Sequence, residues 1–436
     1  MRDTSVAQIQ QYFSAQKDYF TRGETRQLAF KQRALLKLKA AISAHSEEIF
    51  QALAEDLGKD RDQVEMAEIG AVINEIDFAL EHLEQWCTPR EVQTPAALQP
   101  SQSFIHHEPF GVCYIVGPFN YPINLTMLPL IGAIVGGNSA LVKPSESTPN
   151  AARVIEKIVA SAFDTCHVAV IQGGREVNEY ALSLALDFIF FTGSPQVGKV
   201  VMQAAARQLI PFVLELGGKC PVLVLEDADL DQVAEQIVFG RFFNSGQTCI
   251  APDYVLVPEA LNEALVTRLV ALTRSLYPQL GSTGKLITAR QVQRLDQLLG
   301  SSTGRVVLGG QSDSEQRYFA ATLVEQVGWD DSLMREELFG PLLPIVQYRD
   351  LDATVANINH YHYKPLAAYV FTKDRERGLA LLAKIPSGDA QINAVITHSM
   401  SPYLPFGGVG PSGIGSYHGE YSFSAFTYQR SIRTVP

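Results

Sequence analysis

The sequence predicts an α/β protein built from two parallel-sheet domains. Three observations predict this class. Short apolar runs alternate with helical patterns from residue 110 onward, a second such series begins near Pro221 and runs to about Asn393, and the strand candidates are apolar along their whole length. Strands that are apolar on both faces are typical of parallel sheets covered by helices on either side.

The first ninety residues show helical periodicity. Apolar residues recur at helical spacing in two stripes, residues 49–57 and residues 69–83, and Gly58 ends the first stripe. Both stripes predict helices whose apolar faces pack on the core. The next segment, residues 88–107, contains three prolines and predicts a linker or an exposed hairpin.

The first α/β series contains four predicted strands, each followed by a helical pattern: residues 112–116, 140–143, 168–171 and 188–191. Residues 111–142 carry no charged side chain and are long enough to cross a bilayer. The prolines and glycines of this run instead favour a buried strand, a turn, a helix and a second strand. The tail, residues 405–436, is rich in glycine and aromatic residues and shows little helical pattern. We therefore interpret the tail as a segment that could pair as a strand with another chain.

Composition and charge argue against several classes of protein. Lys and Arg number 35 against 46 Asp and Glu, and the net charge of −11 argues against binding to nucleic acid. The five cysteines are scattered without a CxxC pair, and the nine histidines show no metal-ligand spacing, so we predict neither disulfides nor a metal site. Residues 1–20 lack the apolar run of a signal peptide. We expect a reducing compartment and a cytoplasmic location.

Two glycine motifs resemble nucleotide-binding loops, and their interpretation depends on the strands and helices around them. GVGPSG (residues 408–413) matches GxGxxG, but too little chain follows it for a βαβ unit, so we interpret it as a turn. GSPQVGK (residues 193–199) matches the first seven positions of a Walker A phosphate loop and follows a predicted strand. The eighth position must be Ser or Thr to hold Mg²⁺, and here it is Val200. A nucleotide-binding ATPase is therefore a disfavoured alternative, although the loop amides could still approach a diphosphate.

Three side chains are candidates for chemistry. Cys249 follows a polar, glycine-containing turn, a setting typical of a reactive thiol rather than a core cysteine. Glu215 ends an apolar strand before two glycines, so burial would raise its pKa and suit it to general-base catalysis; the alternative is a salt bridge with Lys219. Asn120 lies after the first parallel strand, where α/β sheets build their sites, and its amide could donate to an oxyanion.

Seven motifs in order make the whole chain resemble the aldehyde dehydrogenases, and most closely their class 3 group. They are GPFNYP (117–122), VKPSE (142–146), FTGSPQVG (191–198), LELGGK (214–219), NSGQTC (244–249), EELFGP (336–341) and PFGGVGPSGIGSYHG (405–419). Two positions depart from the class 3 pattern: Phe119 replaces the usual Trp, and Ser245 stands where Cys is common. The segment of residues 275–288 is also shorter than usual.

The resemblance implies a domain plan with two Rossmann-like domains and a bridging segment. Residues 1–86 and 108–213 would bind the cofactor, residues 214–397 would carry catalysis, and residues 87–107 and 398–436 would form the bridging and oligomerisation segment. The resemblance also implies a homodimer, and we expect no transmembrane anchor.

The activity implied is oxidation of an aldehyde to a carboxylic acid with NAD or NADP. The Cys249 thiolate would attack the aldehyde, and the Asn120 amide and the Cys249 N–H would stabilise the thiohemiacetal oxyanion. Loss of hydride would leave a thioester, for which Glu215 would activate water. Glu337 has also been argued for as that base in class 3 enzymes, but we place it mainly at the nicotinamide ribose. Tyr121 and neighbouring aromatic residues suggest a pocket for medium-chain aliphatic or aromatic aldehydes.

The resemblance also implies a set of cofactor contacts, with NAD preferred and NADP as the alternative. Lys143 and Glu146 would lie near the adenosine ribose, and residues 193–198 along the pyrophosphate. The full set is Lys143, Glu146, Gly193, Ser194, Pro195, Gln196, Val197, Gly198, Leu216, Gly217, Glu337 and Phe339. Two alternatives remain at this point: an aldehyde dehydrogenase in which CoA resolves the thioester, and a catalytically silent relative. Glu215 favours hydrolysis over the first, and intact Cys249, Glu215 and Asn120 argue against the second.

Overall fold

In the computed structural model, which describes residues 3–436, helices and strands alternate along most of the chain. Met1 and Arg2, which belong to the predicted cofactor domain, lie outside the described residues. The helices are α1 Val6–Thr21, α2 Leu28–Ala44, α3 Ser46–Leu57, α4 Arg61–Val64, α5 Gly70–Cys87, α6 Asn124–Gly136, α7 Pro149–Ala162, α8 Arg175–Ser183, α9 Pro195–Gln208, α10 Leu230–Phe242, α11 Glu259–Leu276, α12 Ala289–Gly300, α13 Leu351–Tyr361, α14 Arg375–Leu382 and α15 Gly419–Ala425. The strands are β1 Arg90–Val92, β2 Gln102–Pro109, β3 Val112–Val116, β4 Ser139–Lys143, β5 Val168–Val170, β6 Phe188–Thr192, β7 Phe212–Glu215, β8 Pro221–Val224, β9 Tyr254–Pro258, β10 Arg305–Leu308, β11 Ser312–Asp313, β12 Tyr318–Phe319, β13 Thr322–Glu325, β14 Leu342–Tyr348, β15 Ala367–Phe371, β16 Asp389–Ile392, β17 Gly413–Ile414 and β18 Thr427–Thr434.

The N-terminal helices confirm the two apolar stripes. The first stripe is the buried face of α3, and Gly58 ends that helix in the left-handed region with φ 66°. The second stripe lies mostly on α5, whose residues Val72, Ile76 and Leu83 are buried. The helical turn directly before α5, Glu65–Ile69, is a π-helix. Such turns are rare and occur often at functional sites.

The first α/β series forms a six-stranded sheet in the order β17-β7-β6-β3-β4-β5. All four predicted strands belong to it, and their pairings are parallel as predicted. The edge strand β17 is antiparallel to β7 and comes from the tail. Three loops follow the carboxyl ends of the central strands, after Val116, Thr192 and Glu215. They bring Asn120, Gly193 and Glu215 to one edge of the sheet, where open α/β sheets bind ligands.

The second α/β series forms a seven-stranded sheet in the order β10-β13-β14-β9-β8-β15-β16. Its pairings are parallel except for β10, which runs antiparallel to β13. The buried interiors of β8 and β9 explain their continuous apolar sequence. The two sheets agree with the predicted fold class, and the residue limits of the domains stay a prediction.

The tail contains helix α15, which the sequence analysis missed. The helix is too short to show a periodicity, and its buried residue Phe423 packs against the core together with Phe426, which follows the helix. The tail ends in β18, which pairs along its whole length with β2 of the same chain. The other edge of β18 has no partner strand among the described residues, so pairing of the tail with another chain stays a prediction. With β1, the strands β2 and β18 form a three-stranded sheet, so the predicted hairpin at residues 88–107 is the antiparallel pair of β1 and β2.

The uncharged run of residues 111–142 is β3, a turn, α6 and β4, as predicted. Nearly every side chain of α6 is buried inside the protein. Across residues 3–436, no helix combines the length and the apolar character needed to cross a membrane.

Candidate active site

Cys249 follows a tightly constrained turn after α10. Asn244, Ser245 and Gly246 are all left-handed, with φ values of 53°, 55° and 71°. Only glycine fits at the third position, because a Cβ there would lie 2.3 Å from the carbonyl oxygen of Gly340. The side chain of Gln247 fixes the end of the turn, since it donates to the Lys285 carbonyl (3.0 Å) and accepts from the Ile287 amide (2.9 Å). The thiol is therefore held on a rigid backbone.

Cys249 contributes to the walls of two cavities. The larger, of about 580 Å³, is also lined by Asn120, Glu215 and Glu337. The smaller, of about 220 Å³, is lined mainly by apolar side chains and includes Tyr121. The thiol thus lies where two chambers of different chemical character meet.

Asn120 is buried, with 3% of its surface exposed, and lines the larger cavity. Its side-chain Nδ2 donates one hydrogen to the Gln247 carbonyl at 3.0 Å. A carboxamide nitrogen carries two hydrogens, so the second stays available to an oxygen atom near Cys249. The Asn120 amide is therefore held by a hydrogen bond in the wall of the cavity that Cys249 also lines, and its role as oxyanion donor stays a prediction.

Glu215 ends β7 and is 2% exposed. Neither carboxyl oxygen has a hydrogen-bond partner among the described residues. Burial, reinforced by the nearby Asp389 carboxylate, raises the pKa of Glu215 well above its usual value. The alternative of a salt bridge with Lys219 is wrong, because the Lys219 ammonium lies 2.7 Å from Asp253 instead. Glu215 is a carboxyl group with no structural partner.

The electrostatic setting of Cys249 is unfavourable for a thiolate. Burial and then the charges of Glu337 and Glu215 raise the pKa of the thiol, although backbone hydrogen bonds at Cys249 and Ile250 act in the opposite direction. Burial also raises the pKa of Glu337 to about 8, and the Asp253 charge adds to this effect. At neutral pH the thiol therefore holds its proton until the charge around it changes.

A buried charge cluster, which the sequence analysis missed, supports the segment that carries Glu337. Asp253 accepts from Lys219 and Arg241, both at 2.7 Å, and these three side chains are almost fully buried. The same carboxylate accepts from the Leu338 amide, and Lys219 donates to the Glu336 carbonyl at 3.2 Å. The cluster fixes the backbone on both sides of Glu337.

Most of the predicted cofactor residues line the larger cavity. They are Lys143, Glu146, Gly193, Ser194, Val197, Leu216, Gly217, Glu337 and Phe339. The side chains of Lys143 and Glu146 pair at 2.8 Å. Pro195, Gln196 and Gly198 do not line the cavity and lie instead in the first turn of α9. Four polar side chains outside every motif also line it, and no sequence signal identified them: Arg175, Asn178, Gln291 and Arg294.

The larger cavity has the features that a dinucleotide requires. The N-terminus of α9, capped by Ser194, opens into it, and helix N-termini attract phosphate groups. Two glycines permit close packing along the wall: a Cβ at Gly217 would lie 2.2 Å from a Glu337 carboxyl oxygen, and one at Gly198 would lie 2.7 Å from Leu216. The residues present therefore fit an extended cofactor that reaches Cys249.

The smaller cavity is an apolar chamber on the other side of Cys249. The side chains that dominate its wall are Leu125, Leu128, Phe239, Phe243, Ile250 and Phe406. The Tyr121 hydroxyl is 2.6 Å from the Thr248 hydroxyl, so this ring is fixed beside the residue before the thiol. Tyr121 thus lines an apolar cavity together with other aromatic side chains, and its role in binding substrate stays a prediction.

Comparisons with known proteins agree with this geometry. The model of the aldehyde dehydrogenase family matches residues 1–432. The chain is 42% identical to 4,4'-diaponeurosporen-aldehyde dehydrogenase from Staphylococcus aureus over 97% of this chain and 93% of that protein. It is 40% identical to human aldehyde dehydrogenase family 3 member B1 over 95% of this chain and 89% of that protein. A substrate-bound structure of Staphylococcus aureus AldH superposes with a TM-score of 0.95 at 42% identity, covering 98% of this chain and 94% of that one.

The comparisons decide between the functional alternatives. Neither the ATPase nor the CoA-acylating alternative receives support from them. The match covers the whole set of motifs and nearly the whole chain, and the relatives include members of family 3. The chain therefore belongs to the aldehyde dehydrogenase family, whose members oxidise aldehydes with a nicotinamide cofactor.

Proposed function

We propose that this protein oxidises apolar aldehydes to carboxylic acids with Cys249 as a covalent nucleophile. The observation that carries the proposal is the place of Cys249 in the walls of two cavities, one suited to a dinucleotide and one apolar. A thiol at that junction can meet an aldehyde from the apolar side while the cofactor approaches from the other. An aldehyde is a poor hydride donor until a nucleophile adds to its carbonyl carbon.

In the first step, the Cys249 thiol loses its proton to solvent, its sulfur bonds to the aldehyde carbon, and the carbonyl oxygen becomes an oxyanion. The free Nδ2 hydrogen of Asn120 and the backbone N–H of Cys249 donate to this oxygen. Each such donor contributes about 3–4 kcal/mol to the stability of the transition state in other enzymes. The bond from Asn120 to the Gln247 carbonyl orients the amide before the aldehyde arrives.

The bound nicotinamide supplies the acceptor for the hydride, and Cys249 then carries the acyl group as a thioester. Glu215 is the base that removes a proton from the attacking water. Its unpartnered oxygens are free to accept that proton. Its raised pKa makes the carboxylate a stronger base than that of an ordinary glutamate. After hydrolysis the acid leaves and Cys249 recovers its thiol.

The cofactor is held by the larger cavity, with NAD preferred over NADP. Glu146 would accept hydrogen bonds from the adenosine ribose hydroxyls, and a 2′-phosphate there would meet the Glu146 carboxylate. Lys143, which pairs with Glu146, offsets part of that repulsion and keeps the preference modest. Glu337 and Phe339 would hold the nicotinamide ribose. Gly193, Ser194 and Val197, which line the cavity at the N-terminus of α9, would hold the pyrophosphate.

Medium-chain aliphatic or aromatic aldehydes are the substrates that the smaller cavity favours. Its wall is mostly aliphatic and aromatic, and Tyr121 stands beside the thiol. Burial of an apolar chain contributes roughly 25 cal/mol per Å² to binding.

The protein functions as a homodimer in the cytoplasm, with residues 87–107 and 398–436 as the bridging segment. Strand β18 is an edge strand whose side chains are mostly exposed, and such an edge can pair with a second copy. The five cysteines are free thiols, as a reducing compartment keeps them. The domain limits given by the sequence, residues 1–86 with 108–213 and residues 214–397, are part of the same proposal.

One assay tests the proposed activity. Purified protein is supplied with a series of aliphatic aldehydes of increasing chain length, benzaldehyde and a charged aldehyde, each with NAD⁺ and with NADP⁺, and nicotinamide absorbance is followed. We expect the specificity constant to rise with chain length and to be lowest for the charged aldehyde. Highest activity with the charged aldehyde would contradict the substrate assignment, and a strict requirement for CoA would contradict hydrolysis by Glu215.

A further inference from the structure

A buried ion pair lies directly behind the loop that carries Asn120. Lys59 follows the Gly58 cap of α3, and Glu68 belongs to the π-helical turn before α5. Their charged groups are 2.6 Å apart, and the two side chains are 2% and 0% exposed. Burying two charges together is expensive unless the geometry is excellent and further hydrogen bonds satisfy both groups. Both charged groups of the pair are therefore expected to make further hydrogen bonds.

The ammonium of Lys59 holds the beginning of the Asn120 loop. Its Nζ donates to the backbone carbonyl of Asn120 at 2.8 Å and lies 4.1 Å from the centre of the Tyr121 ring. Asn244 donates to the same carbonyl from the opposite side at 3.0 Å. The peptide group of Asn120 is thereby fixed from two elements that are far apart in the sequence.

The carboxylate of Glu68 holds the end of the same loop. Its Oε2 accepts from the backbone amides of Ile123 and Asn124, at 3.0 Å and 2.9 Å, where α6 begins. The side chain of Asn124 donates in return to the Ala67 carbonyl at 2.8 Å. One buried pair thus binds both ends of residues 120–124, and a carboxylate at a helix N-terminus is favourable in itself.

We propose that Lys59 and Glu68 are positioning residues for the oxyanion donor, holding Asn120 so that its amide is aimed at the reacting oxygen before the aldehyde binds. This inference rests on the proposed role of Asn120. Neither side chain touches the substrate, and neither lines the larger cavity. Their effect on the reaction passes through the backbone of Asn120, and a displacement of the amide by a fraction of an ångström weakens a transition-state hydrogen bond.

The test removes both charges together, because removal of one leaves the other buried without a partner. The variant is Lys59→Met/Glu68→Gln, which keeps the approximate side-chain volumes. Its matched control is Lys157→Met/Glu48→Gln, which neutralises an exposed Lys–Glu pair. Each is made in the wild-type chain and in the Asn120→Ala chain. The measurement is the rate of NADH formation in a single turnover with enzyme in excess over aldehyde, which reports acylation and hydride transfer and is called the burst rate here. NAD⁺ affinity and melting temperature are measured as well.

A positioning role has a signature that a merely structural role lacks. In the wild-type chain the variant should lower the burst rate at least tenfold, within the roughly 10²–10³-fold that loss of an oxyanion donor produces. In the Asn120→Ala chain the same change should alter the burst rate by no more than about twofold, because the amide to be positioned is gone. The control pair should have no effect on the burst rate in either chain.

Equal fold-losses in the two chains, or no loss in either, would overturn the proposal. A different result would contradict the proposed role of Asn120 itself, namely an unchanged burst rate in the Asn120→Ala variant alone. If the double variant does not fold, Glu68→Asp provides the same comparison, since it keeps a negative charge opposite Lys59 but shortens the side chain that reaches the α6 amides. For this variant too, equal fold-losses in the two chains, or no loss in either, would overturn the proposal. An unchanged NAD⁺ affinity shows that the variant has folded.

Discussion

Replacing Glu215 by Gln should separate the two halves of the reaction. The substitution keeps the size of a side chain that is 2% exposed and has no hydrogen-bond partner, so the packing around it should stay intact. It removes the base that activates water. General-base catalysis contributes roughly 10²–10⁴-fold, and we expect the deacylation rate to fall by that factor.

The same substitution should leave acylation at least as fast as in the wild type. The Glu215 charge is one cause of the raised pKa of the Cys249 thiol, so its removal favours the thiolate. Deacylation then limits turnover, and each active site should release one NADH rapidly before slow steady-state production begins. Stopped-flow absorbance with a medium-chain aldehyde and excess NAD⁺ measures the amplitude and the rate of this burst.

The pH dependence gives an internal check. Because the pKa of Glu215 is raised well above its usual value, its carboxylate fraction and therefore wild-type deacylation should still increase with pH where an ordinary glutamate is already fully ionised. The Gln variant should lose this increase. Loss of the burst itself, with steady-state turnover equally slow from the first cycle, would refute the assignment and make Glu215 the base that activates the thiol.

Three further substitutions test the rest of the account. Cys249→Ser should abolish aldehyde oxidation while NAD⁺ affinity, measured by fluorescence quenching, stays near the wild-type value; wild-type turnover would exclude a covalent mechanism. Glu146→Gln should raise the ratio of the NADP⁺ to the NAD⁺ specificity constant, mainly through the KM for NADP⁺, and an unchanged ratio would mean that Glu146 does not face the 2′ position. Glu337→Gln should raise the burst rate above about pH 8, where the charged Glu337 of the wild type opposes the Cys249 thiolate, and should change it little at lower pH. The folded protein keeps the Glu337 proton up to about pH 8, whereas the unfolded chain loses it near the usual pKa of 4.5. The wild-type melting temperature should therefore fall as the pH rises between these two values. In Glu337→Gln this fall should be smaller.

Much of the fold and the core of the site could be predicted because the signals are local. The strands of the six-stranded sheet are continuous apolar runs, and glycines or prolines mark the turns that follow them. Cys249, Glu215 and Asn120 each follow a recognisable turn or strand end. The carboxyl edge of one sheet brings Asn120 and Glu215 together, and this topology was also predictable.

The parts that could not be predicted depend on contacts between distant segments. Lys59 and Glu68 lie outside every motif, and only the packing of α3 and the π-helical turn against the Asn120 loop gives them a common role. The pairing of Lys219 with Asp253 rather than Glu215 is likewise set by the way the two sheets meet. Helix α15 is too short for its periodicity to be read, and its position follows from burial of Phe423.

The central claim is that an acyl group is carried on Cys249, and one measurement tests it most directly. The Glu215→Gln variant is mixed with NAD⁺ and a medium-chain aldehyde, quenched in acid during the slow phase and digested for peptide mass spectrometry. The account predicts that the peptide containing Cys249 gains the mass of the acyl group, in proportion to the NADH released in the burst. An unmodified Cys249 after a full burst, or an acyl group on another residue, would contradict it.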